Sequence, residues 1–543
     1  MRIHRNARPS WRFTKRLPLA AVAALTVLAL ALPAACRPRG GEPAGKPGRD
    51  TLHTGKTDSH ETKGAPYKPA PKVKRVPNEE ADTAVHPVPT GPAVGDMKPA
   101  NPPIKVEPAE KTGRDSGGPT KRPPGSKRFR VAPERGAASL RALLMARPLY
   151  FRQYHEFDNA IPSTSTCCPE VSIAEQGQTI MATGNDWMAL SKDGGGSYAV
   201  IDPTTIFPQD DGGFCCDQVI VYLPRQDMFV WILQYWKGAN GKNRIRIAAQ
   251  STANVRSSNG TWWTYWDFLS DDFDTGSSLD YNDIAVGDES LWWTSQNGKG
   301  RVVIRIALSE IAKQSGIGFQ FTGGTDALWS DLTQNATNTV YWAGHVSNSE
   351  MRVFSMKDGD GFYAWRSVTV NSWPNGQNST KCPDSTDWMP FELNKHYVFG
   401  NALQNGNVWF SWLAAAGGGF PKPHVQMVRI DPNSWTKQEQ VQVWNPTIAF
   451  QDAYLSTNNQ GELGMEIAFG SGGFYPSAAA GVWGDFVVYY PRLSTLCVGR
   501  WGDYNHSRRA GSDGAQWVSG GYTNEKDSHG TQIARPHFIR FSR

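Results

Sequence analysis

The stretch Cys-Cys-Asp-Gln-Val-Ile-Val-Tyr at residues 215–222 leads from a polar opening into a hydrophobic, strand-like run. Seven stretches along the chain open in this way. The others begin with Cys-Cys-Pro-Glu-Val at Cys167, Asn-Asp-Ile-Ala-Val at Asn282, Thr-Asp-Ala-Leu-Trp at Thr325, Thr-Asp-Trp-Met-Pro at Thr386, Gln-Asp-Ala-Tyr-Leu at Gln451 and Gly-Asp-Tyr-Asn-His at Gly502. Six of the seven carry an Asp: Asp217, Asp283, Asp326, Asp387, Asp452 and Asp503. Successive Asp residues are 66, 43, 61, 65 and 51 residues apart.

This spacing predicts the fold. Intervals of this length hold about four strands each, and irregular repeats of four strands are typical of β-propeller blades. The runs between the openings, such as 228–232 and 301–306, are β-branched and aromatic, and Asn405-Gly406 is a strong hairpin signal between apolar flanks. We therefore predict an all-β fold for residues 144–543, a β-propeller of seven blades, with six blades as the alternative.

The repeated Asp residues are the main candidates for function. If the blades close into a ring, all six converge at one end of a central channel. Crowded carboxylates raise one another's pKa unless a cation lies among them, so one interpretation is a Ca²⁺ or Mg²⁺ site formed by Asp217, Asp283, Asp452 and Asp503. The other is structural, each Asp binding backbone amides and fixing the neighbouring blade. The expected binding site includes all six Asp residues and also Tyr504 and Arg508, which follow the last Asp.

The N-terminus has the features of an export signal. Six Lys or Arg residues between Arg2 and Arg16 precede an apolar run from Leu17 to Ala35, and no acidic residue occurs among them. Residues 1–36 are therefore predicted to be a signal peptide or a lipoprotein leader. Cys36 follows Leu-Pro-Ala-Ala, which is similar to a bacterial lipoprotein cleavage box, and is the candidate lipidation site. An uncleaved membrane anchor is the remaining alternative. Each interpretation places the rest of the chain outside the cytoplasm, secreted or on the outer surface of a bacterium, with membrane contact through the N-terminal anchor alone.

Residues 37–143 are rich in Pro, Gly, Lys and Thr, which predicts a disordered linker. The leader carries a net charge of +6, residues 37–135 carry +8 and the whole chain carries +6, so residues 136–543 carry −8. Because the predicted propeller is acidic, we expect no binding of nucleic acid. The basic N-terminal part is better suited to an anionic envelope.

Cysteine usage agrees with export. Excluding Cys36, six cysteines are available for three disulfide bonds: Cys167, Cys168, Cys215, Cys216, Cys382 and Cys497. The vicinal pairs occupy equivalent positions in the first two blades, where adjacent blades could bring them together. A four-thiolate metal site is the alternative, although the two-residue spacing of zinc knuckles is missing.

One motif carries a family resemblance. The sequence Ser191-Lys-Asp193-Gly-Gly195-Gly-Ser197-Tyr198 follows the pattern Ser-x-Asp-x-Gly-x-Ser/Thr-aromatic. It resembles the Asp-box, or BNR repeat, of sialidase-like propellers. In that superfamily the motif is a structural hairpin turn between the third and fourth strands of a blade, remote from the catalytic face. The sialidase Arg-Ile-Pro segment is missing, since Ala160-Ile-Pro162 has Ala in place of Arg, and no arginine triad is recognisable. The resemblance therefore implies an atypical member.

Two aromatic pairs suggest a ligand. Trp262-Trp263 and Trp292-Trp293 are denser than packing requires, because neighbouring strand residues face opposite sides of a sheet. We expect one member of each pair to be exposed and to stack on sugar rings. The sequence thus favours a monomeric binding module for glycans or envelope proteins. The alternative is an extracellular glycoside hydrolase or lyase that uses carboxylates at the channel mouth.

Overall fold

The computed structural model describes residues 75–76, 78–80, 99–109, 149–157, 169–273, 279–297, 300–322, 324–360, 363–376, 380–389, 397–499, 501–502, 505–511 and 514–543. The predicted leader with Cys36, the Cys167-Cys168 pair, Asp503 and Tyr504 lie outside these residues. Four strands precede the first sheet: β1 (Arg75–Val76), β2 (Asn78–Glu80), β3 (Lys105–Pro108) and β4 (Tyr150–Glu156).

The chain then forms consecutive antiparallel sheets whose strands are neighbours in sequence. Sheet 1 contains β5 (Ser172–Gln176), β6 (Thr179–Thr183), β7 (Met188–Ser191) and β8 (Ala199–Ile201). Sheet 2 contains β9 (Phe214–Leu223), β10 (Met228–Tyr235), β11 (Arg244–Ser251) and β12 (Thr264–Leu269). Sheet 3 contains β13 (Asp280–Val286), β14 (Ser290–Asn297), β15 (Gly300–Ala307) and β16 (Phe319–Thr322). Sheet 4 contains β17 (Thr339–Ser347), β18 (Glu350–Lys357) and β19 (Tyr363–Thr369), with β2 as its fourth strand in parallel beside β19. Strand β1 adds to sheet 3 in parallel beside β16. Sheet 5 contains β20 (Ala402–Gln404), β21 (Asn407–Ala414), β22 (His424–Asp431) and β23 (Thr436–Val443).

The remaining strands form one large sheet with two halves. The first half contains β24 (Ala449–Thr457), β25 (Leu463–Ser471), β26 (Phe474–Val482) and β27 (Val487–Tyr490). The second half contains β28 (Ser507–Arg509), β29 (Trp517–Lys526) and β30 (Gln532–Ser542), and β4 from the N-terminal side completes it by pairing with β30. The halves meet at one residue pair, Ser477 with Thr523. Two short helices, α1 (Thr252–Ser257) and α2 (Leu308–Ala312), and 3₁₀ turns at 203–205 and 270–273 lie between strands.

Apolar residues are buried on both faces of these sheets. All eight residues of β10 are buried, because each sheet is covered by a neighbour on either side. Val230 and Trp293 belong to the cluster between sheets 2 and 3, and Trp292 and Trp342 to the cluster between sheets 3 and 4.

The series of sheets closes on itself. Val171, which precedes sheet 1, and Phe538 from β30 belong to one cluster, and Val171 also pairs with Asn505 in parallel orientation. The first strands of neighbouring sheets thus run side by side in the same direction. The prediction of an all-β fold is confirmed, and the closed series of four-stranded sheets is consistent with a β-propeller.

Part of the predicted linker is ordered. Strand β3 adds to the outer edge of β27 in parallel orientation, and Ile104 is 3% exposed. Just before β3, the Asn101 side-chain amide donates to the Gln442 carbonyl at 2.8 Å, and the Trp444 indole donates to the Asn101 carbonyl at 2.9 Å. The expectation of disorder is therefore wrong for residues 99–109. Low apolar content did not prevent docking, because the backbone of this segment pairs with an open strand edge.

The disulfides differ from the expected pattern. Cys215 is bonded to its neighbour Cys216, so this pair is not available to bridge two blades or to bind a metal as two thiolates. Cys382 is bonded to Cys497, a separation of 115 residues, which ties the loop before sheet 5 to the loop after the first half of the large sheet. Within the described residues, no helix is long and apolar enough to cross a membrane.

The two tryptophan pairs behave differently. Trp262 is 46% exposed while Trp263 is fully buried, as expected. Trp292 and Trp293 are both fully buried, so the expectation of one exposed member is wrong for this pair. The two side chains do face opposite sides of β14, but a neighbouring sheet covers each side.

Candidate functional site

A repeated backbone conformation lies at or near the beginning of the first strand in sheets 1 to 5 and in the first half of the large sheet. Six residues there have positive φ, one for each sheet concerned: Glu170 (50°), Asp217 (50°), Tyr281 (54°), Trp329 (56°), Gly400 (63°) and Asp452 (53°). The residue two positions later is an aspartate in sheets 3 and 4, and it is buried in all six cases: Ser172, Val219, Asp283, Asp331, Ala402 and Tyr454.

Asp283 and Asp331 occupy this later position in sheets 3 and 4, and His506 from the second half of the large sheet lies beside Asp283. With Arg508 from β28 they form the central cluster, and their side chains are 0–9% exposed. Asp331 was not among the sequence candidates, although Trp-Ser-Asp-Leu at 329–332 repeats the pattern of Tyr-Asn-Asp-Ile at 281–284. That similarity is the signal that could have identified it in place of Asp326.

Asp331 is held by neighbours on both sides. The Tyr281 hydroxyl of sheet 3 donates to its Oδ1 at 3.0 Å, and the Gly400 backbone N–H of sheet 5 donates to its Oδ2 at 3.1 Å. Both carboxylate oxygens are therefore used in contacts that join consecutive sheets. Such fully satisfied buried groups fix one arrangement of their neighbours.

Asp283 and Arg508 form the charged half of the central cluster. The Leu332 N–H donates to Asp283 Oδ2 at 2.8 Å, while His506 Nε2 lies 3.4 Å and Arg508 Nη2 lies 3.9 Å from its Oδ1. Arg508 Nη1 donates to Gln334 Oε1 at 2.5 Å, and the Gln334 side-chain amide donates to the Ile284 carbonyl at 2.9 Å. The guanidinium thus links the last strands of the chain to sheets 3 and 4.

The two carboxyl groups have opposite pKa shifts. Burial and the negative charge of Asp283 raise the pKa of Asp331 to about 7. Burial alone would raise the pKa of Asp283, but the hydrogen bond from His506 and the charge of Arg508 outweigh it and lower this pKa. Burial and the nearby Arg508 lower the pKa of His506, so the imidazole is neutral at pH 7. The cluster therefore holds an ionised Asp283 beside a carboxyl group that titrates near neutrality.

Aromatic side chains lie around the central cluster. Tyr281 packs against Trp329 with ring centroids 5.2 Å apart, and Trp329 lies 4.7 Å from Tyr397. Tyr454 lies 5.8 Å from the His506 ring, and the Arg301 guanidinium lies 4.8 Å from the centroid of the Tyr281 ring. The adjoining cavity, lined in part by Asp331 and His506, measures about 10 Å³ and has room for one water molecule at most.

Asp217 and Asp452 lie at the left-handed position, two residues before the equivalent of Asp283. The Tyr281 N–H donates to Asp217 Oδ2 at 3.3 Å, which connects sheets 2 and 3. Asp452 is 3% exposed, and the Gln451 side-chain amide donates to its Oδ2 at 2.6 Å. The repeated Asp residues therefore occupy different positions of the repeat, and the structure brings Asp283 and Arg508 of the predicted set directly together.

Asp326 and Asp387 lie away from the central cluster. The Asp326 side chain is 51% exposed and forms an ion pair with Arg352. Asp387 pairs with Lys381 in the loop that the Cys382–Cys497 bond holds, well before the left-handed Gly400 in sequence. The expectation that all six Asp residues converge is wrong for these two, because their runs precede the strand openings.

The described residues fit the expected Ca²⁺ or Mg²⁺ site poorly. Asp283 is already next to the Arg508 guanidinium, and Asp217 and Asp452 bond to groups on different sheets. Among the described part of the chain, one group of three potential ligands converges, namely Cys382, Asp384 and Cys497. Two of its members are joined in a disulfide bond, which leaves no pair of thiolates for a metal.

The Ser191–Tyr198 motif forms a compact turn between β7 and β8. Ser197 donates to Asp193 through its N–H at 3.0 Å and its hydroxyl at 2.7 Å, and the Ser191 hydroxyl donates at 2.8 Å. The Gly195 N–H donates to Ser191 Oγ at 2.8 Å. These hydrogen bonds outweigh the effect of burial and lower the pKa of Asp193 to about 2. The Tyr198 ring packs against Phe157 with centroids 4.9 Å apart, so the motif stabilises the edge of sheet 1.

A second buried carboxyl lies in the first half of the large sheet. Glu466 on β25 is fully buried, and burial together with the charge of Asp452 raises its pKa well above 4.5. At pH values between its ordinary pKa and this raised pKa, the folded protein holds a proton that the unfolded chain has released. The protonated Glu466 side chain therefore contributes fully to the free energy of unfolding at pH values below the pKa of the unfolded chain. This contribution is lost as the pH rises toward the raised pKa of the folded protein.

We expect Glu466→Gln to stabilise the protein at alkaline pH. The free energy of unfolding, measured with urea at pH 5 and pH 8, should exceed that of the wild type by about 1 kcal/mol or more at pH 8, and the gain should shrink at pH 5. Glu289→Gln is the control, because the Glu289 side chain is 78% exposed and should give no such pH dependence. A gain of equal size at both pH values would contradict the assignment of a protonated Glu466.

Comparison with known proteins assigns this chain to no family. No family model and no curated protein matches the sequence. Among solved structures, an α-L-arabinofuranosidase of Fusarium graminearum is 11% identical with a TM-score of 0.33, covering 68% of this chain and 93% of that one. The phage phi92 endosialidase is 9% identical with a TM-score of 0.36, covering 69% and 67%. A prolyl endopeptidase is 8% identical with a TM-score of 0.35, and this chain spans 50% of its length. With sequence identities and TM-scores this low, the chemistry of the candidate site is argued from the residues of this chain alone.

Proposed function

We propose that this protein is an exported, surface-tethered β-propeller that binds glycans or envelope proteins without catalysis of its own. The observation that carries the proposal is the packing of the central cluster. The oxygens of Asp331 bond to sheets 3 and 5, Asp283 bonds to sheet 4 and lies beside Arg508, and the adjoining cavity holds at most one water. Groups packed in this way hold the ring together, and they leave ligand contacts to the exposed ends of the sheets.

The blade count belongs to the same proposal. Counting each half of the large sheet as one blade, and the segment around residues 330–334 as the first strand of sheet 4, gives seven blades. Thr333 donates from its N–H to the Tyr341 carbonyl at 3.0 Å, which pairs this segment with β17. Closure of the last blade by β4 joins the two ends of the domain, and sialidase-like membership remains part of the proposal.

The opposite pKa shifts favour a second candidate, a glycoside hydrolase. Such enzymes use one protonated and one ionised carboxyl group, and Asp331 and Asp283 differ in this way. In that case Asp331 would act as the general acid and Asp283 as the ionised partner. A substrate could reach them only if Tyr281 and its aromatic neighbours moved aside.

One set of assays distinguishes the binding module from the glycoside hydrolase. The full chain is run through native gels containing arabinan, mannan, glycol chitin or polygalacturonate, and is also incubated with envelope fractions, while reducing sugar is measured on each polysaccharide. We expect retardation or capture with no sugar release. Turnover that disappears in Asp331→Asn but persists in Asp326→Asn, where the side chain is exposed, would establish the hydrolase instead.

A further inference from the structure

We propose that the end of sheet 2 where β9 begins and β10 ends carries a subsite for neutral or amino sugars, formed by Trp236 and Asp280. This inference rests on the proposed binding function and chooses glycan as the ligand. Trp236 is 45% exposed, whereas Trp231 on the same strand is fully buried. An exposed indole presents a flat apolar surface of the kind that stacks on the C–H face of a sugar ring.

The backbone of Trp236 is held rigidly. It follows β10 directly, its N–H donates to the Gly213 carbonyl at 2.8 Å, and its carbonyl accepts from the Gly212 N–H at 3.2 Å. These two bonds continue the pairing of β10 with β9 beyond the end of the strand. A binding residue fixed in this way loses little conformational entropy when a ligand binds.

A polar partner is fixed on the same side. The pairing of β10 with β9 is irregular at Gln234 and Tyr235, but the extra residues belong to β9. Strand β10 itself stays regular, so residues 234 and 236 face the same side of it. The Gln234 side-chain amide donates to Asp280 Oδ1 at 2.9 Å, and the Tyr281 N–H donates to the same oxygen at 3.0 Å. Asp280 is exposed, so its carboxylate is oriented by the protein and accessible to sugar hydroxyl groups.

The bonds around Asp280 connect the subsite to the interior. The Asn282 amide donates to Gln234 Oε1 at 2.7 Å, and Asn282 is fully buried beside Asp283 in sequence. The subsite is therefore built on the first strand of sheet 3 and the second strand of sheet 2. Its negative charge favours neutral sugars and amino sugars and disfavours uronic acids.

The test compares two equally exposed tryptophans. Trp236→Ala removes the stacking surface, and Trp262→Ala is the matched control, because Trp262 is 46% exposed but lies at the opposite end of β11 in the same sheet. In gels with arabinan, mannan or glycol chitin, we expect Trp236→Ala to weaken the apparent affinity by about tenfold or more. Trp262→Ala should keep the wild-type affinity, and both variants should keep the wild-type unfolding midpoint.

The charge of Asp280 gives a second readout. Asp280→Asn keeps the shape of the side chain and should reduce discrimination against polygalacturonate. The subsite would be overturned if Trp236→Ala bound the neutral and amino polysaccharides as tightly as the wild type. It would also be overturned if the wild-type chain bound polygalacturonate and none of the other polysaccharides. Either result would leave the proposed binding function intact. A wild-type chain that binds none of the polysaccharides also overturns the subsite. The proposed function fails only when the envelope fractions are not captured either.

Discussion

Gly400→Ala is expected to unfold the protein or to lower its free energy of unfolding by about 4 kcal/mol or more. Gly400 has φ of +63°, and a Cβ atom there would lie 1.7 Å from the Ala453 carbonyl oxygen and 2.8 Å from the Tyr454 Cα. These are backbone atoms of the neighbouring sheet, so the clash cannot be relieved by turning a side chain. A shift of the Gly400 backbone would also disturb its hydrogen bond to Asp331. Urea unfolding followed by tryptophan fluorescence measures the loss.

The matched control is Gly406→Ala. Gly406 also has positive φ, +78°, but no atom lies within 4 Å of the position a Cβ would take. This variant has the backbone strain of an alanine at positive φ but no clash. Its free energy of unfolding should be about 1 kcal/mol lower than that of the wild type. Similar losses in the two variants would show that strain alone matters, and that the first strands are less closely packed than the structure indicates.

Arg508→Met is expected to lower the free energy of unfolding at pH 7 by about 3–5 kcal/mol, because it leaves the buried Asp283 carboxylate without its cation. Removing the charge raises the pKa of Asp283, so the added loss should grow as the pH rises above the ordinary carboxyl range. Urea unfolding at pH 4 and pH 7 measures both effects. Arg509→Met is the neighbouring control, since Arg509 is exposed and donates one hydrogen bond to the Thr457 carbonyl.

A double variant tests the cause. In Asp283→Asn/Arg508→Met the buried charge is removed together with its partner, so the double variant should be more stable at pH 7 than Arg508→Met alone. If the single and double variants unfold at the same urea concentration, the loss comes from packing around Gln334 and Ser507, and the ion pair contributes little.

The sequence predicted the architecture because its signal is local. β-Branched and aromatic runs, hairpin dipeptides such as Asn405-Gly406 and repeated polar openings act within a few residues of one another. These local patterns predict strands grouped in fours, and the structure contains four-stranded sheets. The same local evidence misjudged residues 99–109, because strand β3 is stabilised by the open edge of β27, a segment almost four hundred residues away in sequence.

The residues of the candidate site were predicted less well. Their meeting depends on the exact position of each residue along the first strand of its sheet, which the residue type does not show. In the sequence, Asp as a residue type predicts equivalent positions for Asp217, Asp283 and Asp326. The structure aligns the left-handed residues instead, so that Asp331 is the partner of Asp283 and Asp217 lies two positions earlier. A shift of two residues retains the inward face of a strand but changes the depth at which a side chain lies.

By itself, the sequence determined the strand content, the four-strand repeat, the basic N-terminal segment and the acidic domain, since each depends on composition or on neighbours along the chain. The tertiary structure alone decided which carboxylates face Arg508, which tryptophan remains exposed and which cysteines are bonded. Those properties depend on closing the ring, which brings residues such as Asp283 and Arg508, 225 positions apart, within 3.9 Å of each other. Burial by neighbouring sheets then determines the pKa values of the carboxyl groups and the exposure of the tryptophans. No local pattern in the sequence predicts this burial.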